Sequence, residues 1–201
     1  MKIKSLILLF LIAGLMGCGD KFPKHLSQAE KFLSEKNYVD CVDSINNGLM
    51  KWHESDGTEV KAQAYEILGK SYHQLRNTDK AIEAYRQAVA LSKNSFDSAM
   101  ALGNIYLIKS QPDMAAKFFL DALKMKPNHP LAYLGLGNSY YLGRKIPEAK
   151  AAFERVLDTS PGVREAQEQL AALKSLARKK TTRTVIYKRS PQKTQPQRKR
   201  R

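Results

Sequence analysis

Cysteine is almost missing: the 201 residues hold two, Cys18 and Cys41, in contexts so unlike that no disulfide framework follows. Long apolar runs are missing as well. The one candidate, from Leu6 to Leu15, is about ten residues, half of the ~20 that a membrane-spanning helix needs. The four histidines, His25, His53, His73 and His129, stand at no metal-ligand spacing, and the chain has no H-E-x-x-H, no Gly-rich phosphate loop and no nucleophile elbow. Each histidine reads as a surface or helix-end residue, so no catalytic residue, metal or cofactor is expected. Acid is missing from the whole stretch between Thr181 and Arg201. That uneven charge excludes a simple reading of the formal +15. Of 34 Lys and Arg, 2 precede Cys18 and 11 lie from Ala177 onward, which leaves 21 facing 19 acids between them. The middle is nearly neutral, which argues against the whole chain as a basic nucleic-acid binder.

What the sequence does have is a fixed period. Leu68-Gly69, Leu102-Gly103 and Leu136-Gly137 stand 34 residues apart, each followed by Tyr72, Tyr106 or Tyr140. Ala81, Ala115 and Ala149 keep the interval, as do Tyr85, Phe119 and Phe153, then Pro127 and Pro161. Self-similarity at such a period marks a stacked repeat array, and this one resembles the tetratricopeptide repeat, a helix-turn-helix unit of 34 residues. The resemblance implies an all-α solenoid. Small residues at the crossing points let helix axes approach within about 8–10 Å, while aromatics fill the wedge beside them. Val156 stands where a small Ala is expected and predicts looser packing there. Pro127 and Pro161 end second helices, Pro112 and Pro147 suit first turns, and Thr78 before Asp79 reads as an N-cap.

The complete units span 62–95, 96–129 and 130–163. A degenerate unit over 22–61 is anchored by Ala29, Phe32, Tyr38, Cys41, Ile45 and Gly48. Its start lies 40 residues before the next, six more than the period, so an insertion near Asp56-Gly57 lengthens the helices around Trp52 or forms a short loop. Cys41 falls at a small-residue packing position and reads as a buried free thiol. Ala166, Leu170, Leu173 and Leu176 then follow helical spacing, which predicts a capping helix over 164–180.

Residues 1–17 carry Lys2 and Lys4 before the short apolar run, and Leu15-Met16-Gly17-Cys18 resembles the lipobox of bacterial lipoproteins. The resemblance implies cleavage before Cys18, a diacylglyceryl group on its thiol, and 18–21 as a lipid-anchored linker. The alternatives are an ordinary secretory signal with an incidental Cys, or an uncleaved anchor. Acyl chains at ~0.8 kcal/mol per buried methylene would hold the chain on its membrane. In such lipoproteins Asp directly after the Cys retains the protein in the inner membrane. Here Gly19 takes that place and Asp20 comes one later, which implies a periplasm-facing protein of the outer membrane.

In the tetratricopeptide family the second, fifth, ninth, twelfth and thirteenth positions of each first helix line a concave groove. Here these are Gln63, Glu66, Lys70, His73 and Gln74, then Asp97, Met100, Asn104, Leu107 and Ile108, then Leu131, Leu134, Asn138, Tyr141 and Leu142. The expected partner-binding residues are the apolar ones and the two asparagines of the last two sets. Glu66, Met100 and Leu134 do not supply the basic residues of the family's carboxylate clamp, so an amphipathic helix or an extended apolar segment fits better. The competing reading packs these residues against the capping helix.

From 181 to 201 nothing can build a core, which predicts a disordered basic tail. Arg183, Lys188, Arg189, Lys193, Arg198, Lys199, Arg200 and Arg201 offer an anionic lipid or polymer about 1 kcal/mol each near a charged surface. The plainer alternative is a solubilising tail. Together these features predict a lipid-anchored, non-catalytic scaffold that positions an envelope protein, as in assembly of a secretion, pilus or outer-membrane complex. The rival is a polyanion-binding protein that acts through its tail.

Overall fold

The computed structural model describes residues 22–189. Cys18 and the segments 1–17 and 18–21, with Lys193 and Arg198 through Arg201, lie outside the described residues. Among the described residues the secondary structure is helical throughout: α1 (Phe22–Ser34), α2 (Tyr38–Leu49), a 3-10 turn (Glu54–Asp56), α3 (Thr58–Gln74), α4 (Thr78–Leu91), α5 (Phe96–Ile108), α6 (Pro112–Met125), α7 (Pro130–Leu142), α8 (Ile146–Thr159) and α9 (Arg164–Arg189). They form two compact units. One ends at Pro127 and holds α1 to α6; the other begins at Asn128 and holds α7 to α9.

Each pair is joined by the same turn. After α1, α3, α5 and α7, a residue in the left-handed region, Lys36, Arg76, Ser110 or Arg144, takes φ between 55° and 60°. The next residue returns its N–H to the carbonyl five before it: Asn37 to Phe32, Asn77 to Tyr72, Gln111 to Tyr106 and Lys145 to Tyr140, at 2.8–2.9 Å. The left-handed residue itself bonds the carbonyl three before it. This double closure is the Schellman motif, which satisfies carbonyls that a helix end leaves open. The residue that closes one helix also opens the next. Asn37 and Asn77 accept from the N–H of Asp40 and Lys80, whereas the side chains of Gln111 and Lys145 make no cap bond. The N-cap of α4 is therefore Asn77, not Thr78, because the turn sets the register and places Thr78 inside the first helical turn. Pro112, Pro130 and Pro147 sit in first turns, where a missing N–H costs nothing.

The Leu-Gly motif meets the aromatic residue of its own second helix. A Cβ built on Gly103 would lie 2.7 Å from two ring atoms of Phe119, and one on Gly137 would lie 2.5 Å from Phe153. Phe119 and Phe153 are fully buried, each contributing about 1.5–3 kcal/mol. The six-residue excess is spent in both expected ways. The 3-10 turn and Gly57 (φ 86°) form a loop, and α3 has 17 residues where α5 and α7 have 13. Lys61 Nζ stands 3.8 Å from the centroid of the Trp52 ring at this insertion.

Two expectations at the far end are corrected. Val156 loosens nothing: it is fully buried in a cluster with Phe153, Ala166, Leu170 and Leu173, because a single helix follows and offers Ala166 to the larger side chain. The helix expected over 164–180 runs on to Arg189, through the first part of the segment read as disordered. No Pro or Gly occurs between Gly162 and Pro191, so nothing in the chain stops it.

Candidate functional site

In the first unit, the inner face is built by α1, α3 and α5, the first helices of their pairs. Side chains bridge them in sequence. Gln63 Nε2 on α3 donates to Glu30 Oε1 on α1 at 2.7 Å, and Ser98 Oγ on α5 donates to Glu66 Oε2 on α3 at 3.2 Å. Lys70 Nζ meets the other Glu66 oxygen at 2.7 Å. Burial, and then the charges of Glu66 and Asp97, push the Tyr85 hydroxyl well above the usual phenol range, so it stays neutral. Periodicity places Glu66 and Asp97 on this face but says nothing of the Tyr85 hydroxyl near them. The signal is that hydroxyl itself, since the matching positions are Phe119 and Phe153 and a buried phenol needs polar company.

Further along α5 the face turns apolar. Met100 and Leu107 are half-buried, Asn104 is exposed between them, and Ile108 is 81% exposed. Ile108 borders a recess of ≈ 600 Å³ with Leu75 and Ile105, rimmed by His73, Arg76 and the Lys109–Asp79 ion pair.

In the second unit, the expected residues divide. Leu131, Tyr141 and Leu142 are exposed, at the two ends of α7. Leu134 is not a surface residue: it is 9% exposed and belongs to the buried cluster with Phe153, Leu170 and Leu173, because α9 covers it. Asn138 Nδ2 donates to Glu165 Oε1 of α9 at 3.1 Å. Both residues are therefore in contact with α9. Of the tail residues, Arg183, Lys188 and Arg189 fall on the last turns of α9, and the others lie beyond it.

The described residues contain no group of three or more His, Cys, Asp or Glu that could hold a metal, and no helix long and apolar enough to cross a membrane. Cys41 is buried, donates to the Ala29 carbonyl at 3.3 Å and accepts from Ser71 Oγ at 3.2 Å. Burial pushes its thiol pKa up, which keeps it protonated and poorly nucleophilic.

Models of the tetratricopeptide repeat match residues 62–95 and 100–164. Among curated proteins, the type IV pilus assembly protein PilF of Pseudomonas aeruginosa is 26% identical over 129 residues, covering 64% of this chain and 49% of PilF. The chain spans about half the length of PilF and far less of the larger curated relatives it matches. A MamA structure from Desulfovibrio magneticus RS-1 superposes with a TM-score of 0.65 at 16% identity, over 88% of this chain and 99% of that one. The second repeat domain of human RPAP3, solved with the HSP70 peptide SGPTIEEVD, gives 0.55 at 24% identity over 59% of this chain and 98% of that one. At such identities the likeness is one of fold.

Proposed function

We propose, for a chain that belongs to the tetratricopeptide repeat family, that it is a membrane-anchored adaptor of the bacterial envelope whose inner face takes a segment of a protein partner. Proteins of this family are interaction scaffolds whose repeat domains bind peptides, and the fold is typically non-catalytic. The observation that carries the reading is the uncovered strip on α5, with Asn104 exposed between Leu107 and Met100 and Ile108 open at its end. An exposed amide flanked by aliphatic side chains can bond a peptide backbone while burying apolar side chains beside it.

The likeness to PilF supports a role in assembling an envelope complex, a pilus among the candidates. The HSP70 peptide of the human RPAP3 structure ends in Glu-Glu-Val-Asp. A tail so acidic suits this chain poorly, since Glu66, Met100 and Leu134 stand where basic residues would be needed. Cys18 supplies the anchor on this reading, and the basic residues beyond Thr181 add a second, salt-sensitive attachment to anionic lipid.

Photocrosslinking in cells tests the adaptor role. A photoreactive residue at Asn104 is expected to capture a defined envelope protein, and Leu107→Asp to abolish the capture. Equal capture by a chain carrying Leu107→Asp would refute it. Mass spectrometry of the membrane-extracted protein tests the anchor, and an unmodified amino terminus upstream of Cys18 would remove it.

A further inference from the structure

The inner face of the first unit is electrically polar, and that polarity selects a class of partner. At one end, Ser98 ties the first turn of α5 to Glu66, and Asp97 stands exposed beside it. Lys70 neutralises Glu66, but among the described residues no cation is paired with Asp97. At the other end, Ile108 borders the recess whose rim carries Arg76 and the Lys109–Asp79 ion pair, so that Arg76 supplies the net positive charge there. A cation is therefore favoured near Asp97 and disfavoured near Ile108, and the most open apolar side chain of the face, Ile108, lies at the second place.

We propose that the segment bound on this face is basic at one end and apolar at the other, with Lys or Arg against Asp97 and aliphatic or aromatic side chains over Leu107 and Ile108. The proposal rests on the reading that this face is the partner site. The helix itself sets the spacing. Asp97 and Leu107 are ten residues apart on α5, which is about 15 Å at ~1.5 Å per residue. An extended segment covers that distance in about five residues at ~3.3 Å each, and Asn104 lies on the way to bond its backbone. A segment of the opposite polarity would set its cation against Arg76, since Lys109 is already paired with Asp79. Like-charge contacts of that kind discriminate between partners more than they change overall affinity.

The test is selection from a random twelve-residue peptide display library on the full chain, purified in detergent. Enriched peptides are expected to carry Lys or Arg about five residues from a Leu, Ile or Phe. Their affinity should fall about three- to tenfold on Asp97→Lys and less on Asp97→Asn, which keeps the size of the side chain. Peptides with Glu in place of the basic residue should gain on the Asp97→Lys chain. Asp97 is exposed, so circular dichroism should show both variants folded. Peptides lacking basic residues, or indifferent to Asp97→Lys while still lost with Leu107→Asp, would overturn the charge proposal and leave the face as the partner site. Peptides indifferent to both substitutions, or a library yielding no binder, would overturn both.

Discussion

Gly103→Ala isolates the close approach on which each helix pair depends. The substitution carries a built-in gain, because Ala is better than Gly in a helix interior by about 0.8–1 kcal/mol. Against this stands the geometry. The new Cβ would lie 2.7 Å from Phe119 Cε1 and Cζ and 2.9 Å from Cδ1, where unstrained carbon contacts are about 3.5–4.0 Å. Phe119 has no exposed surface, so its ring cannot retreat by the ~0.8 Å required without pushing its neighbours. Overpacking of this kind costs about 1–3 kcal/mol, and a clash with three atoms of a fixed ring belongs near the top of that range. The expected net loss is about 2 kcal/mol, or a urea midpoint lower by about 1 M at an m-value near 2 kcal/mol/M. Adding Phe119→Leu should recover part of the loss, with a coupling of about 1 kcal/mol or more. Two other glycines separate contact from conformation. Gly162 meets nothing within 4 Å, so Gly162→Ala should fall within about 0.5 kcal/mol of the parent. Gly57 meets nothing either, but its φ of 86° and ψ of 146° lie in a region nearly reserved for Gly, so Gly57→Ala should cost about 1–3 kcal/mol from backbone strain alone. A Gly103→Ala chain as stable as the parent or more so, in urea unfolding followed by circular dichroism, would refute the close-approach argument.

Three further expectations follow from the same structure. The left-handed residues of the turns carry a Cβ at a cost of roughly 1–2 kcal/mol, so Ser110→Gly should raise the unfolding midpoint by about 1 kcal/mol equivalent, and a lower midpoint would contradict the turn assignment. Leu170→Ala should lose about 2–5 kcal/mol by opening a cavity under α9, while Leu176→Ala, at an exposed position, should stay within about 0.5 kcal/mol; similar losses at both would mean that the cap is misplaced. Burial raises the pKa of Cys41 and of Tyr85, so their contribution to stability is complete below the unfolded values and lost as pH rises through the folded ones. Unfolded chains release these protons first, from about pH 8.5 for the thiol, so the urea midpoint should fall between pH 8 and 10.5 and fall less steeply for Tyr85→Phe.

The 34-residue period was enough to place the helix pairs, because the Leu-Gly and aromatic positions are two halves of one contact and neither makes sense without the other. The turns were not legible. Lys36, Arg76, Ser110 and Arg144 share a backbone conformation but no side-chain chemistry, and their left-handed φ is imposed by the way each helix closes on itself. The same closure moved the N-cap from Thr78 to Asn77, two neighbouring residues of nearly equal capping ability. The end of α9 was missed for a different reason. Thr181 to Arg189 has three apolar residues, Val185, Ile186 and Tyr187, too few for a core, and such a composition reads as disorder. Composition and backbone conformation are separate properties, and a helix already formed can continue through polar residues until a breaker intervenes.

The candidate site shows the limit of counting positions. Periodicity assigns Met100, Asn104, Leu107 and Ile108 on α5, and Leu134 and Asn138 on α7, to one face by equivalent arithmetic, and on the helices they do occupy equivalent places. What periodicity cannot register is that α7 belongs to the last pair. The residue after Pro161 that matters is Glu165, whose carboxylate takes Asn138, and the turns after it, which with Val156 and Phe153 enclose Leu134. A final repeat must spend on its cap the surface that an inner repeat leaves open. A photoreactive residue at Leu134 would therefore report α9, whereas one at Asn104 would report whatever docks. This narrows the candidate face of the first unit to Asp97 through Ile108; the second unit exposes Leu131, Tyr141 and Leu142.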